Sequence, residues 1–392
     1  MSTSEKQSVK KEYIDSEETG LEFEEPEDRT IGKHSPYDPE KIRVETHQFS
    51  LRNILDMIED EEVDLAPDFQ RYQVWSIKQK CRLIESVLLR IPLPTFYFSS
   101  DDKGVMQVVD GVQRLTTIYK YVRDRESFPL SKLEYLNEQV GGKTFHNLGT
   151  EWVRRINKTQ ITVNIIDPQT PQKVKFDIFK RLNTGGTPLV AQEIRHCMSK
   201  KRSRDFLKRL STSEEFIQVM PNQIIKHKRM ANREMVLRAA AYKLHLPDIL
   251  GEPNTMSKSY RQYESLDSFL NDVNDYLDNE ITDEKMAFLE QIIKNGLKNA
   301  YKLFGSHAFR KWPLGDNYTY PVNKALFETW TVLLGQYSWE KIEPNKKNVI
   351  QKFRTACKDY SNFNDSISRS TAKSKNVAIR FKKINEIINS EA

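Results

Sequence analysis

Apolar residues recur three and four positions apart along most of the chain, and only a few short runs are apolar throughout or alternate. Ser50 to Glu59 (SLRNILDMIE) puts Leu51, Ile54 and Leu55 on one side and predicts a short helix. Leu65 to Trp75 (LAPDFQRYQVW) has no period and reads as irregular or extended chain. Ser76, with Gln79 three residues on, has the spacing of a capping box. It opens a helix whose inner positions are Ile77, Cys81, Ile84, Leu88 and Ile91, and Pro92 and Pro94 end it. Thr95 to Phe98 (TFYF) and Val105 to Val109 (VMQVV) predict two strands around a turn at Ser99 to Gly104. Asp110-Gly111 breaks the second, and a helix follows from Val112 with Leu115, Ile118, Tyr119 and Val122 facing inward. Ile161 to Ile166 (ITVNII) is a further strand by its β-branched content. Pro171 sits at the first position of a helix with Val174, Ile178 and Leu182 as its stripe. Asn183 to Pro188 (NTGGTP) is a turn cluster, and a helix restarts over Val190 to Met198. Beyond residue 200 the pattern is helical, over 203–220, 231–245, 260–279, 283–304, 321–337, 346–360 and 373–389.

Three regions follow. Residues 1–45 are rich in Glu, Ser and Lys with isolated apolar positions, and read as a disordered acidic tail. Residues 46–200 form an α/β half and 201–392 a helical half. At 392 residues the chain is long enough for two domains. No stretch approaches the roughly 20 apolar residues of a membrane span, and the first thirty residues hold no apolar run that would act as a secretory signal. Cys81, Cys197 and Cys357 are odd in number and far apart, which fits a reducing cytoplasm better than a disulfide framework or a zinc knuckle.

Charge changes the picture more than composition does. The formal net charge is +6, yet residues 1–30 hold ten acids and four bases, a net of −6, which leaves +12 on the remainder. Residues 200–233 carry ten bases and three acids, and residues from 341 onward twelve and five, each a net of +7. Basic blocks on a folded body suit a polyanion such as nucleic acid, and also suit an ordinary solvated surface. The acidic tail could shield a basic groove or simply aid solubility.

Three segments could carry chemistry. In Val108 to Thr117 (VVDGVQRLTT) a strand passes through Asp110-Gly111 into a helix N-terminus. Uncapped helix amides attract anions, Gly111 permits a sharp turn and close approach, Arg114 has a fork that suits phosphate, and Asp110 could hold a metal or a water. A buried turn with Arg114 in a structural salt bridge is the plainer alternative. Phe179 to Pro188 (FKRLNTGGTP) could form a polar backbone cradle, or only a helix C-cap and loop. Pro67 to Trp75 (PDFQRYQVW) offers Gln70 and Arg71 before a capped helix, with Trp75 as a core anchor. No GxxxxGK[ST], HExxH or GxSxG is present, and no two of the seven histidines are spaced i, i+4.

Taken together and in order, FQRYQVW (69–75), LIESVLLRIPLPTFYF (83–98), VVDGVQRLTTIYKYV (108–122), FKRLNTGGTPLVAQEIR (179–195) and KRMANREMVLRAAAY (228–242) resemble the N-terminal domain of GmrSD-type, modification-dependent restriction enzymes, within the ParB/sulfiredoxin-like superfamily. The resemblance implies an α+β fold with a ParB/sulfiredoxin-like N-terminal domain and a mostly helical C-terminal domain. It implies that the hallmark turn takes part in binding and hydrolysing a nucleoside triphosphate, coupled to DNA cleavage in phage defence. The hallmark is usually Asp-Gly-Gln-Gln-Arg. Here it is Asp-Gly-Val-Gln-Arg, and the apolar Val112 is expected to weaken a polar contact. Many relatives add an HNH-like nuclease module. After His245 only His307 follows, so such a module is not expected.

The resulting expectations are specific. Asp110, Gln113 and Arg114 would be catalytic, and Asp110 would hold Mg2+. Gln70, Arg71, Gly111, Arg114, Thr116, Asn183 and Thr184 would bind the nucleotide. DNA, a nucleoside triphosphate and a partner nuclease subunit or second copy would be the partners, in the cytoplasm and without a membrane. The competing reading is a non-catalytic, nucleotide-gated DNA-binding switch or adaptor.

Overall fold

The computed structural model describes residues 19–24, 43–65, 75–101, 103–124, 127–182, 189–227, 229–253, 256–316, 318–358 and 361–390. The chain divides into two compact units. One spans Ser35–Met198, and the other joins Met1–His34 to Ser199–Ala392.

The first unit is α+β. Its elements are β1 (Val44–Ser50), α1 (Leu51–Glu59), β2 (Val63–Asp64), α2 (Ile77–Leu88), β3 (Phe96–Ser100), β4 (Met106–Asp110), α3 (Val112–Arg123), α4 (Asn137–Val140), α5 (Thr150–Lys158), β5 (Gln160–Ile166), α6 (Gln172–Leu182) and α7 (Ala191–Met198). The strand order is β1-β5-β3-β4-β2. β1 runs antiparallel to β5, β5 parallel to β3, β3 antiparallel to β4 and β4 parallel to β2. The predicted capping box opens α2, with Ser76 and Gln79 bonded reciprocally. Cys81, Ile84 and Leu88 are buried as expected, whereas Ile77 and Ile91 are exposed.

Register breaks beside the hallmark turn. Tyr97 faces Asp110 and Phe98 faces Val108, so β4 carries one extra residue at Val109. A bulge of this kind bends a strand and re-aims the next side chain. The consecutive Val108 and Val109 are both buried. Val109 joins Ile166, Phe176, Phe179 and Ile194 in a cluster that seats α6 and α7 against the sheet.

The second unit is helical. It comprises α8 (Lys201–Ser211), α9 (Glu214–Val219), α10 (Asn222–Ile225), α11 (Ala231–Leu244), α12 (Leu246–Leu250), α13 (Leu266–Asn279), α14 (Asp283–Phe304), α15 (Lys324–Leu334), α16 (Trp339–Ile342), α17 (Lys346–Ala356), α18 (Asn362–Ser368) and α19 (Ser374–Asn389). One apolar core runs through it, with Trp330, Phe327, Tyr242, Phe269 and Phe381 among its large side chains. α14 and α15 approach closely at Gly296, where a Cβ would lie 2.0 Å from the Thr331 carbonyl oxygen. The mixed half and the helical half thus stand as the sequence predicts.

Six residues of the acidic N-terminal stretch depart from the disorder expected there. Residues 19–24 are packed on the helical unit, with Leu21 in its core. Isolated apolar residues cannot fold a segment alone, but a groove already built elsewhere can order it.

Candidate functional site

The Asp110–Arg114 turn is set by three local devices. Gly111 adopts φ 95°, a left-handed conformation that disfavours side chains. A Cβ there would lie 2.2 Å from the Phe96 ring, so the residue is constrained by space as well as by backbone. The bulge at Val109 then brings Asp110 to the end of β4 opposite Tyr97.

Arg114 locks this turn. Its Nη2 donates to Asp110 Oδ2 at 2.8 Å and to the Thr95 carbonyl at 3.2 Å, and its Nη1 donates to the Pro94 carbonyl. The guanidinium lies over the Phe96 ring, 4.1 Å from its centroid. Burial pulls the Arg114 guanidinium below its ordinary range, and Asp110 opposes that. The geometry therefore puts Arg114 in the structural salt bridge of the plainer reading. Its side chain is 13% exposed, while that of Asp110 is 39% exposed and keeps its carboxylate open to solvent.

The neighbouring positions divide sharply. Val112 is buried, so the departure from the hallmark falls in the core rather than on a solvent-facing contact. Thr116 is also buried, and its hydroxyl donates to the Val112 carbonyl at 2.7 Å. Gln113 is half-buried and its carbonyl accepts from Thr117. The N-cap residue of α3 is Gly111, which has no side chain with which to cap the helix. The first turn of α3 thus presents backbone amides and positive dipole beside the Asp110 carboxylate.

Gln70, Arg71, Asn183 and Thr184, all expected to bind nucleotide, lie outside the described residues. Asp110, Gly111, Gln113, Arg114 and Thr116 stand together in one turn and its helix. Among the described residues no three His, Cys, Asp or Glu side chains group to hold a metal. Asp110 supplies one carboxylate. A hard cation such as Mg2+ would draw its other oxygens from water and phosphate.

A buried polar row on α7 escaped the sequence reading. Gln192, Glu193, Arg195 and His196 are all buried. Glu193 accepts from the Val190 amide at 2.7 Å, and Arg195 Nη1 donates to Gln192 at 3.2 Å. Arg195 also sits 5.6 Å from the Phe176 ring. The signal was there: Gln192-Glu193-Ile194-Arg195-His196 puts polar residues on every face of a helix that also carries core Ile194.

The basic stretches are partly consumed by acids of their own unit. Arg202 pairs with Asp283, Arg209 pairs with Glu290, and Arg380 is buried against Glu328. Lys382 and Lys383 remain exposed. Among the described residues no helix is long and apolar enough to cross a membrane.

Comparison with known families matches residues 51–200 to the GmrSD restriction endonuclease, N-terminal domain. Comparisons with curated proteins and with solved structures found no match. The match covers the capped helix, the bulged strand and the Asp110–Arg114 turn, and ends as the helical unit begins. The α+β part of this chain, residues 51–200, is therefore a member of the GmrSD N-terminal domain family.

Proposed function

We propose that this protein is a DNA-directed restriction protein of phage defence, acting in the cytoplasm, whose ParB-like turn binds a nucleoside triphosphate. The observation that carries the reading is the open Asp110 carboxylate next to a left-handed Gly111, at a helix N-terminus whose N-cap residue has no side chain. Such a terminus is a ready anion site. The α3 amides would hold phosphate, with Gln113 at the rim and with Gln70, Arg71, Asn183 and Thr184 as the further nucleotide-binding residues. Asp110 would present one oxygen to a phosphate-bound Mg2+. Arg114 would act as a positioning residue, because its donors already serve Asp110, Pro94 and Thr95. Thr116 would support the helix rather than touch ligand.

Two outcomes of binding are distinct: hydrolysis coupled to DNA cleavage, alone or with a partner nuclease subunit or second copy, and a non-catalytic, nucleotide-gated switch on DNA. The commitment of Arg114 to the protein favours the second, since a guanidinium held by two carbonyls and a carboxylate has little left to offer developing phosphate charge. A turnover assay with a nucleotide panel and Mg2+, with and without DNA, separates them. Asp110→Asn is the control. Hydrolysis that Asp110→Asn abolishes establishes the enzyme. Nucleotide-dependent DNA binding with only background hydrolysis establishes the switch. Absence of both overturns the proposal.

A further inference from the structure

In the described part of the acidic N-terminal stretch, residues 19–24, the chain leaves a left-handed Gly20 and Leu21–Glu24 lie along the helical unit outside any helix. Leu21 pairs in parallel with Val322, which pairs on its other side with Arg310. The Glu22 amide donates to the Val322 carbonyl at 2.8 Å, and the Val322 amide donates to the Gly20 carbonyl at 3.0 Å. Isolated bridges and two backbone bonds thus hold the segment, and its side chains add to that hold as in the extended-peptide mode of recognition.

The selection is by charge. The Glu22 carboxylate accepts from Lys311 Nζ and from Asn323 Nδ2. The Glu24 carboxylate takes both terminal nitrogens of Arg238, at 2.8 and 2.9 Å, in the two-pronged geometry that arginine offers carboxylates. Thr371 donates to it at 3.2 Å and Lys324 Nζ stands 3.4 Å away. Beneath, Arg238 Nε donates to Glu328 at 2.6 Å, Arg380 bonds the other Glu328 oxygen, and Lys324 pairs with Glu234 at 3.0 Å. Three acids, Glu24, Glu234 and Glu328, thus balance three bases, Arg238, Lys324 and Arg380. Taking the segment away would leave one excess positive charge on the cluster of Arg238, Lys324 and Arg380, which would keep only Glu234 and Glu328, and would leave Lys311 with Ser368 but without the Glu22 carboxylate.

Little apolar surface holds the segment. Leu21 is buried, but Phe23 is exposed. The groove reads one leucine and two glutamates at i and i+2, which is a peptide pattern rather than a core.

We propose that this groove is a docking site for acidic extended peptides, filled in the resting molecule by the chain's own Gly20–Glu24, which exchange with a partner protein presenting a Leu-Glu-x-Glu segment. The site is independent of the nucleotide reading above.

The test uses the full chain and a fluorescent synthetic peptide of residues 16–28. In the full-length E22Q/E24Q variant the internal segment is weakened, and the peptide is expected to bind at least tenfold more tightly than to the wild type. A peptide with both glutamates replaced by glutamine should bind neither. A folded variant that binds the peptide no better than the wild type makes the segment a fixed structural element and overturns the proposal. Displacement by a single-stranded oligonucleotide as effective as by unlabelled peptide assigns the groove to nucleic acid and also overturns it. Should E22Q/E24Q fail to fold, hydrogen exchange of the wild type decides. The Glu22 and Val322 amides are expected to exchange at least tenfold faster than those of α15, and equal protection overturns the proposal.

Discussion

Two arginine–carboxylate assemblies stand in this molecule, and they differ in what they leave open. In the helical unit Arg238, Glu328 and Arg380 are sealed from solvent, and the donors given for them find partners within the protein. In the α+β unit Arg114 is nearly as enclosed, yet its partner Asp110 keeps a carboxylate in water. With Glu24, Glu234 and Lys324 the first assembly is internally neutral, and it works as a clasp on residues 20–24. The second is a half-open pair on a left-handed turn, at a helix end without a side-chain cap. Burial alone does not mark function. An ion pair with one member exposed, placed at a helix N-terminus, can meet a ligand directly, whereas the Arg238 assembly, already satisfied by Glu24, meets one only by exchange of residues 20–24.

Arg238→Ala tests this contrast hardest. It leaves Glu24 and Glu328 without their shared partner, and breaking a buried pair from one side costs about 3–5 kcal/mol. Urea unfolding of the helical unit should show that loss, with a matching fall for Glu328→Gln. A cost below about 1 kcal/mol would mean that the clasp contributes nothing. Gly111→Ala comes next. A left-handed non-glycine residue costs about 1–3 kcal/mol, and the contact with Phe96 adds to it. Its melting temperature should fall, with Phe96 displaced. Arg114→Ala should cost less, about 1–3 kcal/mol for the lost charge-assisted bonds. It should also loosen Asp110, visible as faster exchange of the residue 111–114 amides.

Acid separates the two regions further. Burial raises the Glu24 carboxyl, but Arg238 and Lys324 outweigh it and hold the group well below its usual value of 4.5. The unfolded chain therefore takes up this proton first. The contribution of Glu24 is complete above about pH 4.5 and is lost as pH falls below it. Lys324 is shifted upward: burial lowers it, and Glu234 and Glu24 more than compensate. Its contribution is complete below 10.5 and is lost as pH rises beyond. Unfolding followed from pH 3 to 11 should show the helical unit weakening at both ends. In E24Q the acid limb should shrink, and an unchanged acid limb would remove Glu24 from the account.

Much of this was legible from residue patterns, for identifiable reasons. Ser76 and Gln79 announced a cap because a capping box is local. β1 was missed because Val44–Ser50 is a largely exposed edge strand with a weak apolar pattern. α5 was missed because Ile156 is its single buried residue. Ile77 and Ile91 were expected inward but lie at the ends of the α2 region, where the helical face no longer meets the core. Arg114 was expected to be catalytic and to bind nucleotide, with a salt bridge as the plainer alternative, because spacing places Asp110 within reach of it but cannot say that the Pro94 and Thr95 carbonyls also take its donors. The docking of residues 20–24 was not legible at all. It depends on Arg238, Lys311 and Lys324, which are more than two hundred residues away.

The central claim is that the Asp110–Arg114 turn binds the phosphates of a nucleotide, and isothermal titration tests it most directly. Nucleoside triphosphates with Mg2+ are titrated into wild type, Asp110→Asn and Gly111→Ala. The account predicts saturable binding of at least one triphosphate to the wild type. A matching rise in stability of about 2.7 kcal/mol is expected at a hundredfold excess over Kd. Asp110→Asn should retain the fold and bind more weakly in the presence of Mg2+ than the wild type, with little difference in its absence, and Gly111→Ala should lose binding. No heat from any nucleotide, or equal binding by all three proteins, would contradict it.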